Sequence, residues 1–392
     1  MTAENFVYNQ KFKVSYDYPV AFTQEVFNPA SKTLSDILDR LDEGRVHRAA
    51  VYIDKNLAAA NPEIISDIKN YFHANSSKIE LACEPILATS GEAAKSDYNL
   101  LKDVIWTIGN LHLDRQSFVI AIGGGSVLDA VGFAVSLVHR GMRLIRIPST
   151  TLAQNDAGVG VKNGFDEHGQ KNFIGTFAPP FAVINDSEIL KTLPFEHWIG
   201  GVAEAFKVAI IKDAEFFDQL CEDAPRYKKR DQNAMQSLVK KCAILHLDHI
   251  STTGDPFEMG TARPLDFGHW SAHRIENLSG YKIGHGQAVA IGICLDSFYA
   301  MSKNLISKND FERIISAFKS AGLPVWCEQL GWLAKSGELE ILVGLEQFRE
   351  HLGGRLTVTL PNQIGSRIEV HNLDHDIIEQ GVTELKRIAC ED

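Results

Sequence analysis

Residues 123–129 of the chain read Gly-Gly-Gly-Ser-Val-Leu-Asp, directly after the apolar run Ser-Phe-Val-Ile-Ala-Ile and before Ala-Val-Gly-Phe-Ala-Val-Ser-Leu. We predict that this stretch is a strand, a glycine turn and a helix in succession. Glycines at such a turn let backbone N–H groups approach a pyrophosphate, and the helix N-terminus adds positive potential. The spacing is not Gly-x-Gly-x-x-Gly, so a tight glycine turn without a ligand stays open as the alternative.

Strands and helices alternate on both sides of this turn. Apolar and β-branched runs predict strands at residues 48–54, 78–85, 117–123, 142–148 and 180–186. Helices are predicted at 61–74 and at 91–111, the second starting from a capping box that spans Thr89 to Glu92. The alternation indicates an α/β layer with a parallel sheet, whose ligand crevice lies at the C-terminal ends of the strands.

The pattern changes after about residue 186. Residues 191–220, 232–250 and 286–305 carry apolar side chains three and four positions apart, which is typical of helices. We therefore predict two domains, an α/β domain over residues 1–190 and an all-α domain over residues 191–392.

Composition limits the class of protein. The net charge of −11 argues against a nucleic-acid partner, since binding a phosphate backbone needs a basic face, although a local cluster of lysines could still hold a small anion. The N-terminus lacks the features of a signal peptide, and no apolar run is long enough for a membrane span. The six cysteines form no Cys-x-x-Cys pair, which favours a reducing compartment. We expect a cytoplasmic enzyme.

Two polar segments are candidate ligand sites in the first half. The run 147–164 is rich in Gly, Ser and Thr, and with its continuation it carries Asp156, Lys162, Lys171 and Asn172. Its apolar, small-residue surroundings favour anion or hydroxyl binding, while solvated loop lysines are the alternative. Asp54 and Asn56, just after an earlier strand, could contact a ribose, but Asp is equally common as a helix N-cap.

A third constellation has the residue types of a metal site. Glu204 lies in Gly-Gly-Val-Ala-Glu-Ala-Phe-Lys, and five of the fourteen histidines fall between positions 246 and 285. His269 and His273 are four residues apart, so on a helix they share one face. Glu204 with His269 and His285 would leave an open coordination position, as catalytic metal sites require. Histidines that merely pack in an apolar core are the alternative.

Taken together, these residues resemble the sugar phosphate cyclase superfamily, which includes 3-dehydroquinate synthase. The resemblance covers roughly residues 45–365 and rests on Gly-Gly-Gly-Ser-Val-Leu-Asp, Pro-Ser-Thr-Thr-Leu-Ala-Gln, Gln-Lys-Asn, Leu-Lys-Thr-Leu-Pro, Ala-Glu-Ala-Phe-Lys, Phe-Gly-His-x-x-x-His and His-Gly-x-Ala-Val-Ala-Ile-Gly, in the family's order. Val-Lys-Asn-Gly and His-Leu-Asp-His-Ile look like the EboD-type branch.

The resemblance implies a Rossmann-like NAD-binding α/β domain, a helical metal-binding domain and an active site between them. The implied metal is Zn²⁺, with Co²⁺ as an alternative, held by Glu204, His269 and His285. The implied NAD contacts are Asp54, Asn56, Glu92, Lys95, Gly124, Gly125, Asp129, Ser149, Thr150 and Thr192. The implied catalytic residues are Asp156, Lys162, Lys207 and His273. The implied substrate contacts are Arg140, Lys171, Asn172, His246, Arg263, Asp266 and Arg349, with Arg140 donated across a homodimer interface.

The family mechanism uses NAD catalytically. A substrate hydroxyl loses hydride, the resulting ketone acidifies the neighbouring C–H, phosphate leaves by β-elimination, hydride returns, and an intramolecular aldol step closes a carbocycle. The resemblance thus implies a carbon–oxygen lyase that acts on a 7-phosphorylated heptulose or heptulosonate.

The chain departs from the family where dehydroquinate synthases hold the substrate carboxylate. His246 stands for a lysine, Arg263 is displaced by one residue, Asp266 replaces an asparagine, and Arg349 is the remaining successor of C-terminal phosphate-binding lysines. Replacing a fixed charge with histidine weakens carboxylate recognition. We therefore expect a neutral-headed sugar phosphate as substrate.

Two other functions remain open at this point. A metal-dependent alcohol or glycerol dehydrogenase also has a Gly-Gly-Gly-Ser turn and a helical metal-binding domain, and it would produce NADH from a plain polyol. A non-catalytic protein that binds NAD or a sugar phosphate would show ligand binding without turnover.

Overall fold

The computed structural model describes residues 7–168, 170–252, 256–257, 264–351 and 354–391. Its strands are β1 (Val20–Thr23), β2 (His47–Asp54), β3 (Ile79–Leu81), β4 (Ile86–Ala88), β5 (Phe118–Gly123), β6 (Arg143–Pro148), β7 (Lys162–Glu167), β8 (Gln170–Phe177), β9 (Ala182–Asp186), β10 (Val358–Pro361) and β11 (Arg367–Val370). Its helices are α1 (Thr33–Leu38), α2 (Lys55–Ala60), α3 (Ile64–Ala74), α4 (Tyr98–Asn110), α5 (Gly125–Leu137), α6 (Phe195–Lys212), α7 (Ala214–Lys228), α8 (Gln232–Thr252), α9 (His269–Leu278), α10 (His285–Ser302), α11 (Lys308–Ala321), α12 (Val343–His351) and α13 (His375–Cys390).

Within the described residues, seven strands of the first half form one parallel sheet. Its order is β1-β9-β6-β5-β2-β3, and β4 pairs with the C-terminal half of β2. The central strands β2, β5 and β6 are buried almost throughout, as apolar runs in a sheet covered on both faces require. The predicted α/β class is therefore confirmed.

Helices cover both faces of this sheet. The amphipathic helix α3 packs Ile64, Ile68, Tyr71 and Phe72 against one face. The helices α4 and α5 cover the other face, and α5 begins directly after the glycine turn that follows β5. The C-terminal ends of β5 and β6 therefore meet at one edge of the sheet, with the N-terminus of α5 beside them.

The helix predicted at 91–111 begins later than its capping box suggested. The α-helix starts at Tyr98, because the Asp97 carboxylate accepts hydrogen bonds from the backbone N–H groups of Asn99 and Leu100. Residues Glu92–Ser96 form a short 3₁₀ turn instead, preceded by Gly91 in the left-handed region at φ 68°. The capping box at Thr89 to Glu92 was thus wrong.

The polar segment after β6 is also more ordered than a loop. Residues Ala153–Ala157 form a π-helical turn, and β7 and β8 pair as an antiparallel hairpin. The sequence prediction missed this hairpin because Gly, Asn and charged residues interrupt its strands. It also missed β1, a strand of only four residues that pairs with β9 at the edge of the sheet.

Among the described residues, the second half is mainly helical, with the antiparallel pair β10–β11 and a single antiparallel bridge between Leu333 and Leu339. One continuous apolar core joins α6 to α13 and includes Trp198, Phe206, Trp270 and Phe318. No described helix combines the length and hydrophobicity needed to cross a lipid bilayer. The domain limits at residues 190 and 191 stay a prediction.

Asp296 fixes the start of α9 from inside this core. It lies on α10, is 1% exposed, and accepts hydrogen bonds from the backbone N–H of Gly268 (2.9 Å) and the indole N–H of Trp270 (2.8 Å). Burial raises the pKa of this carboxyl to about 7. The two donors flank His269, so Asp296 determines where that histidine begins its helix.

We predict that Asp296→Asn lowers the free energy of unfolding by about 1–3 kcal/mol, because the amide nitrogen cannot accept the second N–H and leaves it unsatisfied. Urea denaturation at pH 8 measures the change, with Asp376→Asn, an exposed position on α13, as the control. Equal stability of the two variants would contradict the assigned role.

Candidate active site

Three predicted ligand side chains converge in the structure. Glu204 projects from the middle of α6, while His269 and His285 are the first residues of α9 and α10. One ligand atom of each lies within 4.8 Å of the others. The Nε2 atoms of His269 and His285 lie 3.6 Å and 3.5 Å from Oε1 of Glu204.

The other nitrogen of each imidazole is already engaged. His269 Nδ1 lies 3.0 Å from the carbonyl oxygen of Phe267, and His285 Nδ1 lies 3.1 Å from Oε2 of Glu276. Both acceptors require a proton on Nδ1, so in the neutral form of each imidazole the lone pair is on Nε2 and faces the Glu204 carboxylate. Three electron-rich groups therefore point at one another.

A divalent cation fits this arrangement. Glu204 is fully buried, and neither of its oxygens has a hydrogen bond of regular geometry among the described residues; Lys207 contacts Oε2 as an ion pair. Ligand atoms of a tetrahedral zinc ion, each about 2.1 Å from the metal, lie about 3.4 Å apart, close to the separations seen here. Glu204, His269 and His285 would hold such an ion and leave a position for a ligand.

The charges around these ligands are strongly coupled. Burial opposes ionisation of Glu204, but Lys207 and His285 outweigh it and lower the pKa of Glu204 to about 2. Burial also disfavours a charged His285, yet the carboxylates of Glu204 and Glu276 raise its pKa to about 10. Burial and the Lys207 ammonium lower the pKa of His269. The pocket thus stabilises positive charge beside Glu204.

Glycines let the three helices come close enough. A Cβ atom on Gly286 would lie 2.4 Å from the Cα and the carbonyl oxygen of Gly200 on α6. A Cβ atom on Gly292 would lie 2.0 Å from the carbonyl oxygen of Gly268, just before α9. Only glycine at these two positions of α10 permits both contacts, so backbone packing brings the ligands together.

A second charged group adjoins the cluster. His246 Nδ1 on α8 lies 3.0 Å from Oδ1 of Asp156 in the π-helical turn. Burial would raise the pKa of Asp156, but Lys207 and His246 lower it to about 2. Asp266 also acts electrostatically on Lys207 and helps to raise the pKa of that lysine. Asp156, Lys207, His246 and Asp266 therefore share the electrostatic surroundings of Glu204.

The glycine turn is linked to the metal cluster by ion pairs. Lys171 on β8 places its Nζ 3.1 Å from Oε1 of Glu92 and 3.0 Å from Oε1 of Glu276. Glu92 in turn accepts a hydrogen bond of 2.7 Å from the hydroxyl of Ser126, inside the glycine motif. These contacts run from the start of α5 to His285.

The predicted nucleotide residues surround the same turn. Ser149 N–H donates to the Gly123 carbonyl (2.8 Å), and a Cβ on Gly124 would lie 3.3 Å from Thr150 Cγ2. Lys95 and Asp129 form a buried ion pair of 2.9 Å. The first N–H groups of α5 have no partners inside the helix, which suits a phosphate.

Two of the predicted NAD contacts also have structural roles. Asp54 is the N-cap of α2, where its Oδ1 accepts hydrogen bonds from the N–H groups of Asn56 and Leu57. Thr192 accepts a hydrogen bond from Asn61 Nδ2 (2.8 Å). The N-cap alternative for Asp54 is therefore present, and the ribose contacts of Asp54 and Asn56 and the NAD contact of Thr192 stay predictions.

The remaining predicted residues lie in several different places. His273 is exposed beside the ligands, with its ring 5.5 Å from His269 and 6.0 Å from His285. Lys162 and Asn172 are exposed on the hairpin. Arg349 pairs with Glu346 on α12, and exposed Arg140 forms no ion pair or side-chain hydrogen bond with the described residues. Arg263 lies outside the described residues.

Two supporting residues were missed by the sequence analysis. Glu276 is 3% exposed and follows His269 and His273 on the same helix face, seven and three residues on, a spacing that could have revealed it. Arg146 is fully buried in β6 and donates to the carbonyl oxygens of Gly160 (2.9 Å) and Lys162 (2.8 Å). A charged residue inside an apolar strand was the available signal.

We predict that Gly286→Ala lowers metal affinity about 10-fold or more, because the added methyl group pushes α10 and His285 away from α6. Titration against a chromophoric chelator measures the affinity. Gly109→Ala is the matched control, since no atom lies within 4 Å of the methyl group that it adds on α4. An unchanged affinity in Gly286→Ala would show that the ligands do not depend on this contact.

Comparisons with known proteins agree with this architecture. The family model for the 3-dehydroquinate synthase N-terminal domain matches residues 85–200, and the model for the 3-dehydroquinate synthase C-terminal domain matches residues 201–339. The chain is 31% identical over 298 residues to a 2-epi-valiolone synthase of Actinosynnema mirum, covering 76% of this chain and 77% of that protein. It is 30% identical over 347 residues to a 3-dehydroquinate synthase of Bartonella tribocorum, covering 86% and 89%.

A solved structure shares the whole fold. The 2-epi-5-epi-valiolone synthase ValA from Streptomyces hygroscopicus subsp. jinggangensis, with NAD⁺ and Zn²⁺ bound, superposes with a TM-score of 0.82 at 25% identity, covering 97% of this chain and 100% of that one. The fold, the matched family models and the two relatives lead to one conclusion. The chain belongs to the 3-dehydroquinate synthase family, within the sugar phosphate cyclase superfamily.

Proposed function

We propose that the protein is an NAD- and metal-dependent lyase that converts a 7-phosphorylated heptulose or heptulosonate to a carbocycle, with loss of phosphate. The observation that carries this proposal is the convergence of Glu204 with the Nε2 atoms of His269 and His285, connected through Lys171 to the glycine turn. Relatives named 2-epi-valiolone synthase and 3-dehydroquinate synthase support a cyclase, and the NAD⁺ and Zn²⁺ of the ValA structure support the two cofactors.

The cofactors supply chemistry that side chains cannot. When bound, a divalent ion would make a coordinated substrate hydroxyl more acidic, and NAD⁺ would accept hydride from the carbon that carries this hydroxyl. The chain provides the setting: Lys207 keeps positive charge beside Glu204, and Asp296 holds the start of α9 in place. Glu204 and His269 are buried, while the side chain of His285 is 31% exposed and faces the open side of the site.

Cationic and titratable residues of the hairpin and of α9 suit the phosphorylated end of the substrate. Lys162 offers an ammonium group to an anion, and Arg146 holds the backbone of Lys162 in position. The ammonium of Lys171 on the same hairpin is paired with Glu92 and Glu276, so it would bind a phosphate only by exchanging one of these partners. His273, exposed beside the ligands, can accept or return a proton at its ring. We propose that these residues bind the phosphate and assist its departure.

The region around His246 favours a neutral head group. Its Nδ1 is engaged by Asp156, which leaves a single ring nitrogen for a ligand, whereas a lysine would have three N–H donors. Asp156 and Asp266 add negative charge nearby, which repels a carboxylate. Because relatives named 2-epi-valiolone synthase and 3-dehydroquinate synthase match about equally, at 31% and 30% identity, these local contacts are what support a neutral heptulose 7-phosphate.

We further propose a cytoplasmic homodimer. Arg140 is exposed at the end of the 3₁₀ turn Val138–Arg140 that follows α5, in the left-handed region at φ 62°. We propose that this arginine contributes to the phosphate site of a partner subunit. All six cysteines are free, which suits a reducing compartment.

The proposed activity is tested by incubating Zn²⁺-loaded protein and NAD⁺ with sedoheptulose 7-phosphate and, separately, with 3-deoxy-arabino-heptulosonate 7-phosphate. We expect inorganic phosphate and a carbocyclic product from the first, without net NADH. Net NADH formation from a plain polyol, with no phosphate release, would instead identify a dehydrogenase. Turnover of the carboxylated substrate alone would contradict the neutral-head proposal.

We predict that His246→Lys raises the ratio of kcat/KM for the carboxylated over the neutral substrate by about 10-fold or more, since a charged hydrogen bond contributes about 1.5–3 kcal/mol. His73→Lys, which adds the same charge at an exposed position on α3, is the control and leaves the ratio unchanged. No change in the ratio for His246→Lys would place the head group elsewhere.

A further inference from the structure

Glu276 contacts both the candidate metal ligand His285 and Lys171 on the β7–β8 hairpin. Its carboxylate is 3% exposed, and each oxygen has its own partner: Oε2 lies 3.1 Å from His285 Nδ1, and Oε1 lies 3.0 Å from Lys171 Nζ. His285 is a candidate metal ligand at the start of α10, and Lys171 lies on β8, the second strand of the hairpin.

The contact with His285 fixes the direction of the ligand. A proton on Nδ1 shared with Glu276 leaves Nε2 as the lone-pair donor toward Glu204. Carboxylates placed this way orient a ligating histidine and increase its basicity, and their loss costs about 10- to 100-fold in metal affinity. Glu276 is therefore a positioning residue for His285.

The contact with Lys171 extends the chain toward the glycine turn. The same Nζ lies 3.1 Å from Glu92 Oε1, and the other oxygen of Glu92 accepts the Ser126 hydroxyl at 2.7 Å. Lys171 is thus the one cation in this series that touches both a carboxylate beside the turn and a carboxylate behind the metal ligand. Its ammonium also lies 4.8 Å from the centre of the Tyr281 ring, which limits its movement.

This series of contacts passes through β8, a strand that is attached only weakly to the rest of the fold. Most of β8 is exposed, and within the described residues its only strand partner is β7. A ligand at the glycine turn that fixes Ser126 and Glu92 therefore removes freedom from Lys171, and through it from Glu276 and His285. A second ligand then binds groups that are already ordered.

We propose that Ser126, Glu92, Lys171, Glu276 and His285 couple the two cofactor sites, so that NAD⁺ bound at the glycine turn increases the affinity of the protein for its metal ion. This proposal rests on the proposed function, because it requires both cofactors to bind. By linkage, the metal ion increases NAD⁺ affinity by the same factor.

The test is to measure the dissociation constant of Zn²⁺ by competition with a chromophoric chelator, with and without saturating NAD⁺. We expect NAD⁺ to tighten Zn²⁺ binding about 5-fold or more in the unchanged protein, at the lower end of ordinary coupling. Calorimetric titration of NAD⁺, with and without Zn²⁺, gives the reciprocal factor. The readout is binding alone and does not depend on turnover.

Variants separate coupling from folding. Lys171→Met brings the NAD⁺ effect to about 1-fold, and Lys171→Arg, which can still bridge two carboxylates, restores it. Glu276→Gln weakens Zn²⁺ binding about 10- to 100-fold and also removes the NAD⁺ effect. Lys282→Met, at an exposed lysine three residues before His285, keeps the wild-type factor. Thermal unfolding confirms that each variant is folded.

The outcomes distinguish this inference from the function on which it rests. If the wild-type protein binds neither NAD⁺ nor Zn²⁺, both the coupling and the proposed function are overturned. Binding of both with no mutual effect, or an NAD⁺ effect that survives in Lys171→Met, overturns the coupling and leaves the cyclase proposal standing.

Discussion

The structure depends on one electrostatic arrangement, in which the buried carboxylate of Glu204 faces the Nε2 atoms of two imidazoles. Glu204, His269 and His285 come from three different helices, and nothing in their own sequence neighbourhoods would keep them together. Lys207 forms an ion pair with one oxygen of Glu204, while the other oxygen faces the two imidazoles, where an unsatisfied buried acceptor costs about 1–3 kcal/mol. A cation at this point turns that cost into an attraction, so the helical half is organised around the place that such an ion would take.

Much of the surrounding structure serves to hold these ligands. Gly286 lets α10 touch α6, and Asp296 ties the start of α9 to α10 from within the core. Glu276 directs His285 toward Glu204. The α/β half contributes a glycine turn at the C-terminal edge of its sheet, and Lys171 reaches from the hairpin to both halves. The two halves therefore meet through charged side chains as well as through packing.

The sequence allowed the α/β class, four of the five strand regions, the glycine turn and the three candidate ligands to be predicted, because apolar periodicity and rare residue types are local signals. The strand predicted at residues 78–85 is instead the short β3 (Ile79–Leu81), and β4 (Ile86–Ala88) follows it. It did not allow β1 or the β7–β8 hairpin to be predicted, since a four-residue strand and strands rich in Gly and Asn have weak periodicity. The start of this helix was placed too early, because the α-helix uses Asp97 as its N-cap rather than Thr89, eight residues before it. The roles of Glu276 and Arg146 depend on partners 9 or more residues away or on backbone carbonyls, which spacing alone does not reveal.

The most direct test of the central claim is a crystal structure of the metal-loaded protein with diffraction data collected on both sides of the zinc absorption edge. The account predicts one strong anomalous peak enclosed by Glu204 and the Nε2 atoms of His269 and His285. A peak held instead by His273 and Glu276, or side chains of 204, 269 and 285 too far apart to share an ion, would contradict it.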